Sequence, residues 1–360
     1  MKIKALQCYP KTMKLREPYS ISYESVEKCE NVFISISTAD GLEGWGCAAP
    51  DMHVTGESLQ DVLHCFETRI EPFLKGKDVY RYGWIMESLK KQLPGHHSAR
   101  AMVDMALYDL IARKARVPLF RLLGGYRASM PTSITIGIMP LGESLECARK
   151  YIGQGFRILK VKGGRDVRED IERINRIRET AGRGIRIRFD ANQGYTLEDS
   201  LFFMKGTEKS SIELFEQPTH RNDTSLLKQV TRRVPVPVMA DESLMSLNDV
   251  FRLSKNRCTD LINIKLMKTG GILEAMHINS VARAAGIGAM VGCMDESSLG
   301  IAAGLHFALS RPNILYADLD GHLDIMEDPF EGMLRIANGV LYPPVSPGLG
   351  WGGLKKIDLA

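Results

Sequence analysis

ILKVKGG (158–164), RIRFDAN (186–192), IELFEQP (212–218), PVMADES (237–243) and LINIKLMKTGG (261–271) are five apolar runs in one stretch of chain. Each carries an ionisable residue near its end: Lys162, Asp190, Glu216, Asp241 and Lys265, at steps of 28, 26, 25 and 24 residues. One strand, one helix and two short connections need about that many residues, so the stretch reads as a βα repeat. In an eight-fold βα barrel the C-terminal strand ends open on one face, where residues far apart in sequence converge. Three carboxylates would then stand between two lysines.

The same rhythm extends in both directions. SITIGIM (133–139) precedes it, GAMVG (288–292) and NILYAD (313–318) follow it, and helices are predicted near 143–155, 166–181 and 196–209. Eight candidate strands result, from Ser133 to Ala317. Helical crossovers imply a parallel sheet covered outside and closed into a barrel. Upstream, NVFISIST (31–38) alternates as a strand, GLEGWG (41–46) turns tightly, and ARAMVDMALYDLIARKA (99–115) has helical spacing. VPLFRLLGG (117–125) ends in two glycines suited to stopping a helix. The expected division is therefore 1–125 as an α+β capping domain, 126–320 as the barrel, and 321–360 as a tail containing PPVSPGLGWGG that returns to the cap.

A chain of 360 residues exceeds one ordinary barrel by roughly 100. Its 47 basic and 43 acidic residues leave a net charge of only +4, which offers no footprint for nucleic acid or anionic membrane. The seven cysteines are scattered and contain no C-x-x-C pair, so neither a disulfide framework nor a thiolate metal site is expected. The start lacks a signal-peptide core, and no apolar run approaches ~20 residues. A soluble cytoplasmic protein is expected.

Removing a proton α to a carboxylate is difficult because the resulting enediolate carries two negative charges. A hard divalent cation answers that difficulty, and Asp190, Glu216 and Asp241 are suitable oxygen ligands for one Mg²⁺ per subunit. Lys160 and Lys162 alternate with apolar residues and so share the inward face of their strand. Their mutual repulsion, with a nearby metal, is expected to lower Lys162 toward the range of a general base. Lys265, four strands on, would face it. Asp318 and Asp320 in YADLDGH also share a face and suit a substrate ammonium. The weaker candidates fail: G-I-G at 286–288 lacks the dinucleotide fingerprint, His96 and His97 make no H-E-x-x-H, and no G-x-S-x-G exists.

Taken together, K-x-K, D-A-N, E-Q-P, A-D-E-S, I-K-L-M-K-T-G-G, MALYDL and LLGG resemble the enolase superfamily, in its muconate-lactonizing-enzyme-like subgroup and within that the dipeptide epimerases. The likeness spans essentially the whole chain. It implies a modified (β/α)7β TIM-type barrel with a capping domain, and the Mg²⁺-assisted lysine chemistry known for that superfamily. It further implies two-base proton transfer by Lys162 and Lys265, supported by Lys160, at the α-carbon of a dipeptide's C-terminal residue, with the substrate ammonium at Asp318 and Asp320. The substrate-binding set is completed by Thr135, Met294, Asp295, Glu296 and Glu24, and a homo-oligomer is expected.

One departure concerns specificity. Members acting on L-Ala-L/D-Glu resemble one another in using an arginine near position 24, whereas this sequence has Glu24 in SYESVE. Asp295 and Glu296 in CMDESS are expected near the mouth. Acidic groups there favour a cationic, or at least non-acidic, C-terminal side chain. The alternatives are N-acylamino-acid racemase, o-succinylbenzoate synthase or cycloisomerase chemistry of the same subgroup, and, from another class, a catalytically silent metal-binding barrel. Two opposed bases speak against the last, since mere binding has no use for them.

Overall fold

Alternating side chains make β2 (Ser25–Thr38) the middle of a three-stranded antiparallel sheet, flanked by β1 (Ile3–Ser20) and β3 (Glu43–Ala48). These coordinates are a computed structural model that describes residues 1–20 and 25–351. Val32, Ile34 and Ile36 turn one way, into a core shared with the cap helices. Phe33 turns the other way, toward the barrel and tail, as the two-residue period of a strand requires. The long helix His97–Ala115 lies on β3 and ends at Arg116, whose φ of 59° stops it. Close approach is possible because β3 carries glycines: a Cβ on Gly46 would lie 1.9 Å from the Met102 carbonyl oxygen.

After the short β4 (Met130–Pro131) the barrel strands follow. They are β5 (Ile134–Ile136), β6 (Ile158–Lys162), β7 (Arg186–Asp190), β8 (Phe215–Glu216), β9 (Val238–Ala240), β10 (Leu261–Lys265), β11 (Gly288–Gly292) and β12 (Ile314–Asp318). They form one parallel sheet in sequential order. Its edges meet where Ser133 N–H donates to the Ala317 carbonyl at 3.2 Å, giving a nearly closed barrel. The eight strands lie where the apolar runs lie, although IELFE contributes only Phe215 and Glu216 to the ladder. The intervening helices include Leu141–Gly153, Val167–Ala181 and Leu197–Gly206. Short polar side chains start several of the barrel helices: Asp166, Thr196, Asp223, Ser246 and Ser297 each accept a backbone N–H of the first turn.

Arg188 fills the barrel interior below the strand ends. It is 1% exposed, donates to Glu213 at 2.7 Å and to the Ala317 carbonyl at 2.9 Å, and lies over the Tyr316 ring. The interior is therefore a packed plug with an open upper mouth. Beyond β12 the chain forms β13 (Arg335–Ala337) and β14 (Val340–Tyr342), which joins β4 in a third sheet. Phe330 then packs among Phe33, Trp45 and Trp351 at centroid distances of 5.1, 5.7 and 4.9 Å. Asp109 fastens the same junction, accepting from Trp45 N–H at 3.0 Å and Leu349 N–H at 2.7 Å. Among the described residues no helix is long and apolar enough to cross a membrane.

The contact of β3 with the long helix gives a direct test. Gly46→Ala is expected to cost about 1–3 kcal/mol through overpacking, read as a lowered thermal unfolding midpoint with native far-ultraviolet circular dichroism.

Candidate active site

Strand register assembles the site. Lys162 pairs with Asp190 across β6 and β7, and Asp190 with Glu216 across β7 and β8, so the three stand side by side. Glu216 pairs in turn with Met239 of β9, two residues before Asp241. The result is a buried trio in which one oxygen from each of Asp190, Glu216 and Asp241 lies within 4.8 Å of the others.

The second oxygen of each carboxylate is already occupied. Asn192 N–H donates to Asp190 Oδ1 at 2.9 Å, Asn263 Nδ2 to Glu216 Oε1 at 2.7 Å, and the Lys268 ammonium to Asp241 Oδ1. Asp190 Oδ2 and Glu216 Oε2 are fully buried without a hydrogen bond. The Lys160 ammonium lies 3.1 and 3.0 Å from them, but at angles that make none. Each carboxylate is thus clamped through one oxygen and presents the other inward, which fits monodentate coordination of a hard divalent cation.

The electrostatics agree. Burial, reinforced by the Asp190 and Asp241 charges, pushes Glu216 up to about 8 even against Lys160. Burial works the same way on Asp241, but the ammoniums of Lys265, Lys268 and Lys160 outweigh it and hold that carboxyl well below its usual range. Like charges confined in a low-dielectric interior require positive charge nearby.

Lys162 Nζ lies 3.4 Å from Asp190 Oδ2, and Lys265 Nζ lies 2.9 Å from Asp241 Oδ2. Their strands, β6 and β10, are four places apart in the eight-strand order and so occupy opposite sides of the barrel. Both lysines line one cavity of about 870 Å³ beneath the cap. Lys160 differs from the expectation of simple repulsion. It sits deeper, 2.8 Å from Asp318 Oδ2 as well as near two members of the trio. Burial opposes its charge, but Asp318, Glu216 and Asp190 outweigh that and hold it protonated well above the ordinary lysine range.

The remaining expected residues divide. Asp320 and Thr135 are brought together in the cavity wall, with Thr135 N–H donating to Asp320 Oδ2 at 2.7 Å. Burial and the Asp318 charge push Asp320 up to about 7. Asp318 also reaches the wall, but both its oxygens are engaged, Oδ2 by Lys160 and Oδ1 by Ser133 Oγ at 2.6 Å. Met294 and Asp295 line the cavity, and Tyr19 OH donates to Asp295 Oδ2 at 2.8 Å. Burial raises Asp295 to about 6.

Glu296, expected beside Asp295 at the mouth, is corrected by the structure. It is 2% exposed, accepts the Met294 N–H at 2.9 Å, and is not part of the cavity wall, because the loop turns there into the helix Ser298–Ser310. Glu24 lies outside the described residues.

Sequence reading missed several participants. Lys268 lies inside the quoted I-K-L-M-K-T-G-G run, and Asn263 alternates with Lys265 on β10, so strand period alone points it inward. Glu242, next to Asp241, lines the cavity with Oε2 buried and unpartnered while Asn192 donates to Oε1 at 3.3 Å. Ser133 and Tyr19 carry no sequence signal.

Residues 143–352 match the model of the enolase C-terminal domain-like family, and residues 3–124 that of the mandelate racemase / muconate lactonizing enzyme N-terminal domain. The L-Lys-D/L-Arg epimerase of Methylococcus capsulatus is 40% identical, over 97% of this chain and 99% of that protein. The substrate-liganded L-Ala-D/L-Glu epimerase from Bacillus subtilis superimposes with a TM-score of 0.95 at 38% identity, over 97% of this chain and 98% of that one. The dipeptide epimerase from Enterococcus faecalis complexed with Mg and L-Leu-L-Tyr does so with a TM-score of 0.93 at 36% identity, over 97% and 99%. With both family models, a nearly closed barrel and a clamped acidic trio, the chain belongs to the enolase superfamily, on its mandelate racemase and muconate lactonizing enzyme branch.

Proposed function

We propose that this protein is a Mg²⁺-dependent dipeptide epimerase that inverts the α-carbon of the C-terminal residue by two-base proton transfer. The observation that carries the reading is the pair of ammoniums, Lys162 and Lys265, on opposite walls of one cavity with the acidic trio between them. Asp190, Glu216 and Asp241 would hold the cation. When bound, it withdraws electron density from the substrate carboxylate and so acidifies the α-proton.

The other steps belong to the chain's own residues. One lysine removes the α-proton from its side, and the other returns a proton from the opposite side, inverting the carbon. Lys160 supports the developing charge from below. Asp320, with an oxygen toward the cavity, takes the substrate ammonium together with the more deeply engaged Asp318. Thr135 contributes through its backbone, which fixes Asp320.

We propose further that the C-terminal side chain is cationic or at least non-acidic. Asp295 in the cavity wall and the identity of residue 24 support this. Relatives named for cationic and for acidic substrates flank this chain at similar identity, so the residues of the site carry the choice rather than ancestry. The division at residues 125 and 320 is retained as a proposal, as is a homo-oligomer, for which exposed Phe202 and Phe251 on the outer helices offer apolar surface. Seven free cysteines support a reducing, cytoplasmic setting.

A mass-spectrometric screen of L,L-dipeptide mixtures in D₂O with Mg²⁺ tests the reading, since each epimerised substrate gains one deuterium. Lys- or Arg-terminated dipeptides are expected to lead, and Ala-Glu far ahead of them would overturn the cationic preference. Lys162→Ala and Lys265→Ala should each abolish epimerisation while retaining solvent exchange for one stereoisomer only; identical exchange behaviour in the two variants would count against two bases. Asp320→Asn should raise KM for free-amine dipeptides with a smaller change in kcat. Mg²⁺ at 100 times its dissociation constant should stabilise the protein by about 2.7 kcal/mol, and Glu216→Gln should remove that thermal shift.

A further inference from the structure

The two lysines are followed by turns built on one device. Lys162 runs into Gly163–Gly164, and Lys265 into the short helix Leu266–Thr269 and then Gly270–Gly271. Gly164, Gly270 and Gly271 have φ of 101°, 89° and 110°, a region costly for any side chain. Each turn closes on one oxygen of a buried aspartate.

At the first, Gly164 N–H donates to Asp170 Oδ2 at 2.8 Å, Tyr195 OH donates to the same oxygen at 2.7 Å, and a Cβ on Gly163 would lie 2.6 Å from it. Arg173 holds the other oxygen of Asp170. At the second, Ile272 N–H donates to Asp104 Oδ2 and Leu273 N–H reaches it at 3.4 Å, while a Cβ on Gly271 would lie 2.4 Å away. Gly271 N–H returns to the Leu266 carbonyl at 3.0 Å, and Thr269 Oγ1 to the Lys265 carbonyl at 3.2 Å. That turn is thereby tied to the backbone of Lys265 itself. Both aspartates are 1% exposed.

Their origins differ. Asp170 sits on the barrel helix Val167–Ala181, whereas Asp104 sits on the cap helix His97–Ala115. The cap grips the Lys265 turn a second time where Ala49 N–H meets Met267 Sδ at 3.4 Å.

We propose that Asp170 and Asp104 are paired positioning residues, one for each base, and that Lys265 alone takes its placement from the capping domain. The inference rests on the two-base reading above. Disturbing Asp104 misplaces Lys265 and spares Lys162, and disturbing Asp170 does the reverse.

Two measurements on Asp104→Ala and Asp170→Ala test this. The first is the ratio of solvent exchange for the L,L and L,D epimers, which cancels the fraction of folded enzyme. It should move in opposite directions in the two variants, by about ten-fold or more for a misplacement of the order of 1 Å, while Asp104→Asn, which keeps an acceptor oxygen, stays near wild type. The second is competitive amidination of lysines, read by mass spectrometry without substrate. Lys265 should label faster relative to Lys162 in Asp104→Ala, and Lys162 relative to Lys265 in Asp170→Ala. Equal changes at both lysines, or unchanged ratios, would overturn the proposal. A wild-type protein that exchanges no dipeptide would defeat the functional reading instead, and the labelling ratios would still decide the positioning claim.

Discussion

Three carboxylates held within 4.8 Å of each other at the end of a barrel are the constraint around which the molecule is arranged. In a low-dielectric interior such a group is tolerable only with compensating positive charge and fixed hydrogen-bond donors. Lys160, Lys265 and Lys268 supply the charge, and Asn192 and Asn263 supply donors that pin one oxygen apiece. What is left without a hydrogen bond is directional: buried oxygens of Asp190 and Glu216 on the inner side of the trio, with the Lys160 ammonium close to both. That unsatisfied demand is the physical content of a metal centre, and the opposed lysines acquire chemical meaning only because it lies between them.

Much of this was legible in the sequence because a barrel converts spacing into position. Steps of 24 to 28 residues put Lys162, Asp190, Glu216, Asp241 and Lys265 at the ends of five successive strands, and β register then fixes their heights. Eight apolar runs sufficed to locate eight strands, although β8 hydrogen-bonds over only two residues. Two of the helix starts were readable as well, near 166 and 196, where Asp166 and Thr196 cap them just after the strand loops.

The parts that were not legible depend on three-dimensional choices of one side chain among several partners. Lys160 was expected to repel Lys162, but it finds Asp318, which comes from the far end of the barrel and sits next to β5 only because the sheet nearly closes. That contact turns Asp318 inward and leaves Asp320 the better placed of the two. Glu296 was expected at the mouth because of its neighbour Asp295, but one residue further along a loop entering a helix reverses direction, and Glu296 ends up capping its own turn. Asp104 and Asp170 carried no sequence signal beyond the paired glycines that they press against.

Arg188, wedged across the barrel between Glu213, Ala317 and Tyr316, has a kinetic corollary. With that end stoppered, a molecule leaving the chamber must use the doorway through which its successor arrives. The two diastereomers of one peptide are equal in size and charge, so under the proposed reaction each obstructs the other's passage. The direction of net flux is set, as for any catalyst, by the concentrations of the two epimers relative to their equilibrium, and the shared doorway makes each a competitor of the other.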